Sequence, residues 1–118
     1  MNKKIFLLVI ALIGFGFSVN ATEGSCRIPG TNDYVHAFLQ GNTLTVVNGS
    51  SRTLASVRVV VMADVPASPE GFIRSPLFDG VLTSIPPQGS QIRQLTTRAI
   101  DGRSVRNIEI SVSNPVCR

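Results

Sequence analysis

Short apolar runs that alternate with polar residues occupy most of the chain after residue 21, and they predict β-strands. Residues 34–39 alternate with a two-residue period, and residues 43–47 are β-branched at four of five positions. Both patterns favour strands. The residues between them, 40–42, are Gln-Gly-Asn, which suits a turn. The sequence therefore predicts a β-hairpin here.

The longest predicted strand covers residues 54–63, with its odd-numbered apolar positions on one face. The opposite face carries Ser56 and Arg58, then becomes apolar at Val60 and Met62. A strand of this pattern suits the centre of a sheet with one end covered. The acidic residue that follows is predicted to end it.

Residues 65–76 contain three prolines and one glycine, which predicts an irregular loop. Proline removes a donor from the ladder, so this segment does not suit a central strand. Ser-Pro-Glu at 68–70 predicts a single helical turn. Phe72 and Ile73 are the large apolar residues of the loop, either as a plug over the open end of the core or as a partner-binding tip.

Three further strands are predicted at residues 77–85, 91–97 and 105–113, separated by turn signals at 86–89 and 101–102. An Asp-Gly pair interrupts the first of them, and the second is polar enough for a sheet edge. No sustained helical periodicity follows residue 21. The fold class predicted is all-β: a single immunoglobulin-like antiparallel β-sandwich of about seven strands.

The first twenty-one residues have the layout of a secretory signal peptide. Lys3 and Lys4 precede an uncharged apolar run over residues 5–17, and the segment closes on Val-Asn-Ala. The run is shorter than the roughly 20 residues that a membrane-spanning helix needs. We predict a signal peptide at 1–21 and one domain at 22–118, periplasmic or secreted from a bacterium, with no stable membrane anchor after cleavage.

The charge and aromatic content after this segment argue against several partners. The formal charge of +4 includes both lysines, so removal of residues 1–21 leaves nine arginines against seven acids, or +2. That balance is weak support for nucleic acid as a partner, and none is predicted. The absence of tryptophan and the small number of aromatic residues disfavour a stacking platform for sugars or bases.

Cys26 and Cys117 lie near the two ends of the predicted domain. An even pair of cysteines in an exported protein indicates a disulfide. Closing a loop of this length stabilises a domain by about 4–5 kcal/mol in the chain-entropy model. An intermolecular bridge is the main alternative. A redox pair or a zinc site is disfavoured, because the thiols are far apart in sequence and the chain has a single histidine.

No catalytic, metal or cofactor site is predicted. His36 lies in a predicted strand without a nucleophile signature nearby, and the acids are scattered singly. The Asn48-Gly49-Ser50 tripeptide matches a glycosylation sequon, but it is interpreted as a turn.

Arginines concentrate near the end of the chain. If the last strands form a hairpin around residues 101–102, several arginines share a face and form a basic patch for an acidic partner. The alternative is an edge strand that its charges protect from aggregation. The residues concerned are Arg93, Arg98, Arg103, Arg106 and Arg118.

From about residue 44 to residue 112 the chain resembles small bacterial immunoglobulin-like modules of the FxLYD type. The resemblance lies in Val-Val-Asn-Gly-Ser at 46–50, a long strand ending in Asp64, and Ile-Pro-Pro-Gln-Gly-Ser at 85–90. Of the motif that names the family only the acid is present, since Val60, Met62 and Ala63 stand at its other positions. The resemblance implies a sandwich fold and an accessory or interaction role in the envelope.

Together these features predict a non-catalytic, exported protein-binding module. It would act as an accessory factor, chaperone or inhibitor of another envelope or secreted protein. The candidate partner-binding residues are Arg93, Arg98, Arg103, Arg106, Phe72 and Ile73. The alternative is a structural subunit of a surface appendage or secretion assembly that pairs through an edge strand.

Overall fold

A computed structural model describes residues 23–96 and 104–118, and these residues form seven β-strands and no helix. The all-β prediction is thereby confirmed. The strands are β1 (Glu23–Arg27), β2 (Tyr34–Gln40), β3 (Thr43–Asn48), β4 (Leu54–Pro66), β5 (Phe72–Ile85), β6 (Ser90–Gln94) and β7 (Arg106–Cys117).

The strands form two antiparallel sheets. The four-stranded sheet has the order β1-β2-β3-β6, and the three-stranded sheet has the order β5-β4-β7. β4 is therefore a central strand, as its sequence predicted. Of the two sheets, the three-stranded one has the longer strands, with 12 to 14 residues each against 5 to 7.

The core lies between the two sheets and follows the predicted alternation. On β2 the three apolar residues at odd positions from Val35 to Leu39 are buried, and on β4 the odd positions from Val57 to Ala63 are inaccessible to solvent. β7 buries Ile110 while its neighbour Glu109 is exposed. Two faces of apolar side chains thus meet in one continuous layer.

The predicted loop at 65–76 is wrong, because most of this segment is a hairpin. β4 continues to Pro66, β5 begins at Phe72, and only residues 67–71 form the turn, without a helical turn at 68–70. Gly71 closes the turn at a φ of 89°, which suits glycine. The Ala67 amide donates to the Gly71 carbonyl at 3.0 Å.

The prolines are accommodated where strands tolerate them. Pro66 is the last residue of the central strand, and Pro76 lies on β5, an edge strand. The register shifts beside Pro76, so that Leu77 is left out of the pairing. Here, rather than at Asp79-Gly80, the β5 ladder is irregular. A proline at an edge and next to a bulge costs no ladder hydrogen bond of a central strand.

β1 was not predicted, and it closes one side of the sandwich. It pairs with β2 in the four-stranded sheet and lies against β7 of the other sheet. A Cβ on Gly24 would collide with the carbonyl oxygen of Ile110. The close approach of these two strands therefore requires glycine at position 24.

The predicted disulfide is wrong: Cys26 and Cys117 are free thiols and are not at bonding distance. Cys26 lies opposite Val35, which lies opposite Asn48, so Cys26 is two interstrand spacings, about 10 Å, from the end of β3. Cys117 lies at that end, with its Sγ 4.0 Å from the Ser50 Oγ. A disulfide needs Cα atoms within about 7 Å. The terminal strands β1 and β7 meet, but they belong to different sheets, and the two sulfur atoms are not at bonding distance.

A buried side chain joins the two connections that cross between the sheets at one end. Asn48 is fully buried, and its amide nitrogen donates to the carbonyls of Arg52, Ile85 and Pro86 at 2.8, 3.1 and 3.1 Å. Its Oδ1 accepts from the Ser50 amide at 3.0 Å. The segments at 49–53 and 86–89 are thus held together at one point, which we call the Asn48 corner.

The Asn48 corner generates a stability prediction. Asn48→Ala leaves one amide and up to three carbonyls without their partner in a buried setting, so we expect a loss of about 2–3 kcal/mol in the free energy of unfolding. Chemical denaturation measures it. Asn32→Ala, in an exposed bend, is the matched control and should cost less than about 0.5 kcal/mol. Equal losses in the two variants would contradict the role of the corner.

The separation of the cysteines generates a second prediction. Alkylation of the unfolded protein in the absence of reductant should label both Cys26 and Cys117, since both are free. Intact-mass measurement reports the number of labels, with a sample reduced beforehand as the control. An unlabelled pair that becomes reactive only after reduction would contradict the arrangement.

Candidate partner-binding site

Two of the sequence-predicted candidates meet at one place in the structure. Phe72 begins β5 and Arg106 begins β7, and the Arg106 Cζ lies 3.7 Å from the centre of the Phe72 ring. β4 lies between these strands, and its Asp64 is the register partner of Arg106. A guanidinium over an aromatic face is a favourable cation–π contact. The β4–β5 hairpin and the start of β7 therefore meet at one end of the three-stranded sheet, which we call the tip.

A network of charged side chains holds the tip in place. Arg74 of β5 donates to the Asp64 Oδ1 at 3.2 Å, to the Glu109 Oε1 at 2.8 Å and to the Asn107 carbonyl at 2.6 Å. It thus spans β4 and reaches β7. A second cross-strand pair, Arg58 with Asp79 at 3.0 Å, lies further along the same face. The outer face of the three-stranded sheet therefore carries ion pairs that join its strands, beside the exposed side chain of Val81.

Asp64 is the electrostatic centre of the tip. The Asn107 side-chain amide donates to its Oδ2 at 2.7 Å and does most to lower the pKa of this carboxyl below its ordinary value. Arg74 and Arg106 lower the pKa further, while partial desolvation opposes them. Asn107 has a φ of 53°, in the left-handed region that asparagine tolerates better than most residues. The left-handed backbone conformation of Asn107 thus accompanies the placement of its side-chain amide against the Asp64 carboxylate.

Ile73 is the exposed apolar residue of the tip, with 62% of its surface accessible to solvent. It is the register partner of Val65. Burial on this side of β4 ends after Ala63, which is fully buried, whereas Val65 is only half-buried. Ile73 therefore lies past the covered part of the core. Ile73 therefore does not act as a plug over the open end of the core, which was one of the two roles predicted for it.

The remaining predicted residues do not join the tip. Arg93 lies on β6 of the four-stranded sheet, whereas Arg106 lies on β7 of the other sheet. β6 and β7 therefore do not pair as a hairpin, and Arg93 and Arg106 do not share a face. Arg118 lies at the opposite end and donates to the Ser84 Oγ at 3.0 Å. Arg98, Arg103 and the turn signal at 101–102 lie outside the described residues.

His36 lies in the four-stranded sheet, away from the tip. Its ring stacks on Tyr34, with the ring centroids 5.9 Å apart and an angle of 20° between the planes. Within residues 23–96 and 104–118, no three His, Cys, Asp or Glu side chains are grouped as a metal site would require. The same residues include no helix with the length and apolarity to cross a bilayer.

The sequence reasoning missed Asp64, Arg74, Asn107 and Glu109 as parts of the site. The signal that would have found the first two is the hairpin register, since residues 64 and 74 are partners across a turn that looked like a loop. The partnership with β7 has no local signal, because it depends on which strand pairs with the other side of β4.

Comparisons with protein-family models, with curated proteins and with solved structures found no match for this chain.

The Asp64 network generates a pH prediction. Because the folded-state pKa of Asp64 is lowered, its contribution to stability is present above the unfolded-state value and is lost as the pH falls through the folded value. Asn107→Gly keeps the backbone freedom at this position and removes the main donor. We expect it to raise the pKa of Asp64 and to move this loss of stability to higher pH.

Carboxyl-carbon NMR titration of Asp64 measures the effect directly. Arg106→Gln is the matched control, since it removes a weaker influence on the same carboxyl. A larger rise in the pKa of Asp64 in Arg106→Gln than in Asn107→Gly would contradict the assignment.

Proposed function

We propose that this chain is a non-catalytic protein-binding module that binds another envelope or secreted protein through the tip. It would act as an accessory factor, chaperone or inhibitor of that partner. The observation that supports this most is the exposed Ile73, which lies on the core side of the sheet at the same end as the Arg106–Phe72 stack on the outer side. Apolar anchors beside arginine and aromatic side chains are typical of the residues that dominate the binding energy of protein interfaces.

The tip suits binding because it is ordered in advance. Arg74 joins three strands through its contacts with Asp64 and Glu109, and Phe72 restricts the Arg106 guanidinium. Side chains that are already fixed lose less conformational entropy when a partner binds. Because Ile73 and Arg106 point to opposite sides of the sheet, the tip implies a partner that encloses the end of the sheet, with an apolar pocket for Ile73 on one side and a carboxylate near Arg106 on the other.

We propose an immunoglobulin-like sandwich in the broad sense of its architecture. Its strand order, β1-β2-β3-β6 and β5-β4-β7, differs from the order of constant-type immunoglobulin domains, in which the first, second, fifth and fourth strands share a sheet. We further propose export to the periplasm or beyond, on the basis of the pattern in residues 1–21, which lie outside the described part of the chain.

The alternative function, an appendage subunit that pairs through an edge strand, has less support. β5 is the longest edge strand described, with 14 residues. Pro76 and the bulge at Leu77 interrupt it near one end, and Ser84 has a φ of 55° near the other. The edge of β7 lies against β1. Interruptions of this kind protect edges from pairing with another chain.

The proposed function generates a binding prediction. The protein is immobilised and exposed to the envelope and culture-fluid fractions of its host, and retained proteins are quantified by mass spectrometry. We expect a partner retained by the wild type but weakened at least about tenfold by Ile73→Asp, because a charge replaces the apolar anchor. Arg106→Gln should weaken the same partner.

Val81→Asp is the matched control, since Val81 lies on the same strand and is 60% exposed against 62% for Ile73. It should retain the partner as the wild type does. The proposal fails if no retained protein depends on Ile73, or if Val81→Asp removes the same proteins.

A further inference from the structure

The outer face of the four-stranded sheet differs chemically from the outer face of the three-stranded one. Whereas the latter carries ion pairs beside the exposed Val81 and Val116, the former presents aromatic, aliphatic and small polar side chains. Tyr34 and Ile92 on this face are 42% and 55% exposed, and Phe38 is half-buried. Concentrated apolar surface on the solvent side of a sheet is typical of interaction sites.

The strand registers place these side chains in two adjoining rows. In one row Phe38 lies between Glu23 and Thr45, which in turn lies opposite Ile92. In the next row His36 lies between Ser25 and Val47, and Ser90 completes the row. Tyr34 begins a third row and stacks on His36. The face is therefore continuous across all four strands.

The charged side chains of the described strands on this face are both on β1. Glu23 lies opposite Phe38, and Arg27 lies opposite Tyr34. Both are exposed, and they stand two positions to either side of Ser25. Arg27 uses one nitrogen to donate to the Thr31 carbonyl at 2.9 Å, which leaves its other donors available. This arrangement is self-complementary, because a half-turn about the Ser25 row exchanges the acidic and the basic position.

We propose that a second copy of this chain packs on the outer face of the four-stranded sheet. The twofold axis would run along the Ser25–His36–Val47–Ser90 row, so that β1 of each copy lies antiparallel to β1 of the other. Glu23 of one copy then faces Arg27 of the second copy, twice. The Phe38 row packs against Tyr34, which matches apolar with aromatic surface. Such an interface is isologous, as in most homodimers.

The size of the face sets the strength of the dimer. Four strands spaced about 4.8 Å apart, each five to seven residues long, give a face of roughly 19 by 20 Å. Two such faces bury roughly 800 Å² in total, which is below the area of stable specific interfaces and in the range of weak, transient ones. The dimer is therefore weak and reversible. It uses a surface separate from the tip, so it does not depend on the proposed function.

Sedimentation velocity of the protein as isolated from its host tests this, over concentrations from about 10 µM to about 1 mM, the range for an interface of this size. The average mass should rise from monomer towards dimer. Ile92→Asp should weaken the dimer at least about tenfold, since it places a carboxylate in the apolar contact. Val81→Asp, at a position 60% exposed on the opposite sheet, should dimerise as the wild type does.

The charge pair gives the sharper test. Glu23→Arg and Arg27→Glu each create two like-charge contacts and should weaken the dimer about tenfold, while the double variant restores it. Circular dichroism of each variant confirms folding, which both exposed positions should tolerate. A monomeric wild type, a dimer insensitive to Ile92→Asp, or single reversals that the double variant does not rescue would each overturn the proposal. Loss of dimerisation together with intact Ile73-dependent binding would leave the proposed function standing.

Discussion

Burial of the Asn48 side chain is the constraint on which the arrangement of the two sheets depends. β3 and β4 belong to different sheets, as do β5 and β6, so the chain crosses between layers at 49–53 and again at 86–89. The Asn48 side chain donates to a carbonyl in each crossing, those of Arg52 and Pro86. The backbone N–H of Asn48 also donates to the Gly89 carbonyl at 2.9 Å. A buried amide that meets several backbone groups at once specifies one relative position of the layers. The close approach of Gly24 on β1 to Ile110 on β7 joins the two sheets along one side of the sandwich.

The two sheets place different side chains on their solvent-exposed faces. The three-stranded sheet carries long strands whose outward positions pair Arg58 with Asp79 and Arg74 with two acids. Exposed ion pairs add little stability, but they give a solvated and ordered face. The four-stranded sheet leaves Tyr34 and Ile92 accessible. The two outer faces thus differ in charge, since the three-stranded sheet carries ion pairs beside exposed valines and the four-stranded sheet carries its charges on β1.

The sequence predicted the parts of the fold that depend on local pattern. The alternation of apolar and polar residues correctly predicted β2, β3 and the inward face of β4, because a two-residue period is visible within a few residues. It missed β1, since Glu-Gly-Ser-Cys-Arg has no such alternation. It mistook the β4–β5 hairpin for a loop because three prolines outweighed the strand residues around them. The cysteine pairing failed, and Arg93 and Arg106 proved to lie on different sheets, because both arrangements depend on strand order across sheets, which no local pattern encodes. Of the candidate site, Phe72 and Arg106 came into contact and Ile73 lies at the same end of the sheet, while the side chains that hold this end in place were not foreseen.

The position of Asn48 has a consequence for making the protein in other organisms. Its amide nitrogen is the atom that receives an N-linked glycan when Asn-X-Ser enters a eukaryotic secretory pathway. In the folded protein this nitrogen is enclosed and committed to three carbonyls. A sugar attached during synthesis would therefore exclude the native crossing of the layers, whereas a chain that folds first is protected from modification. Yeast or animal secretion hosts consequently put glycosylation in direct competition with folding, and bacterial hosts without N-glycosylation avoid that competition.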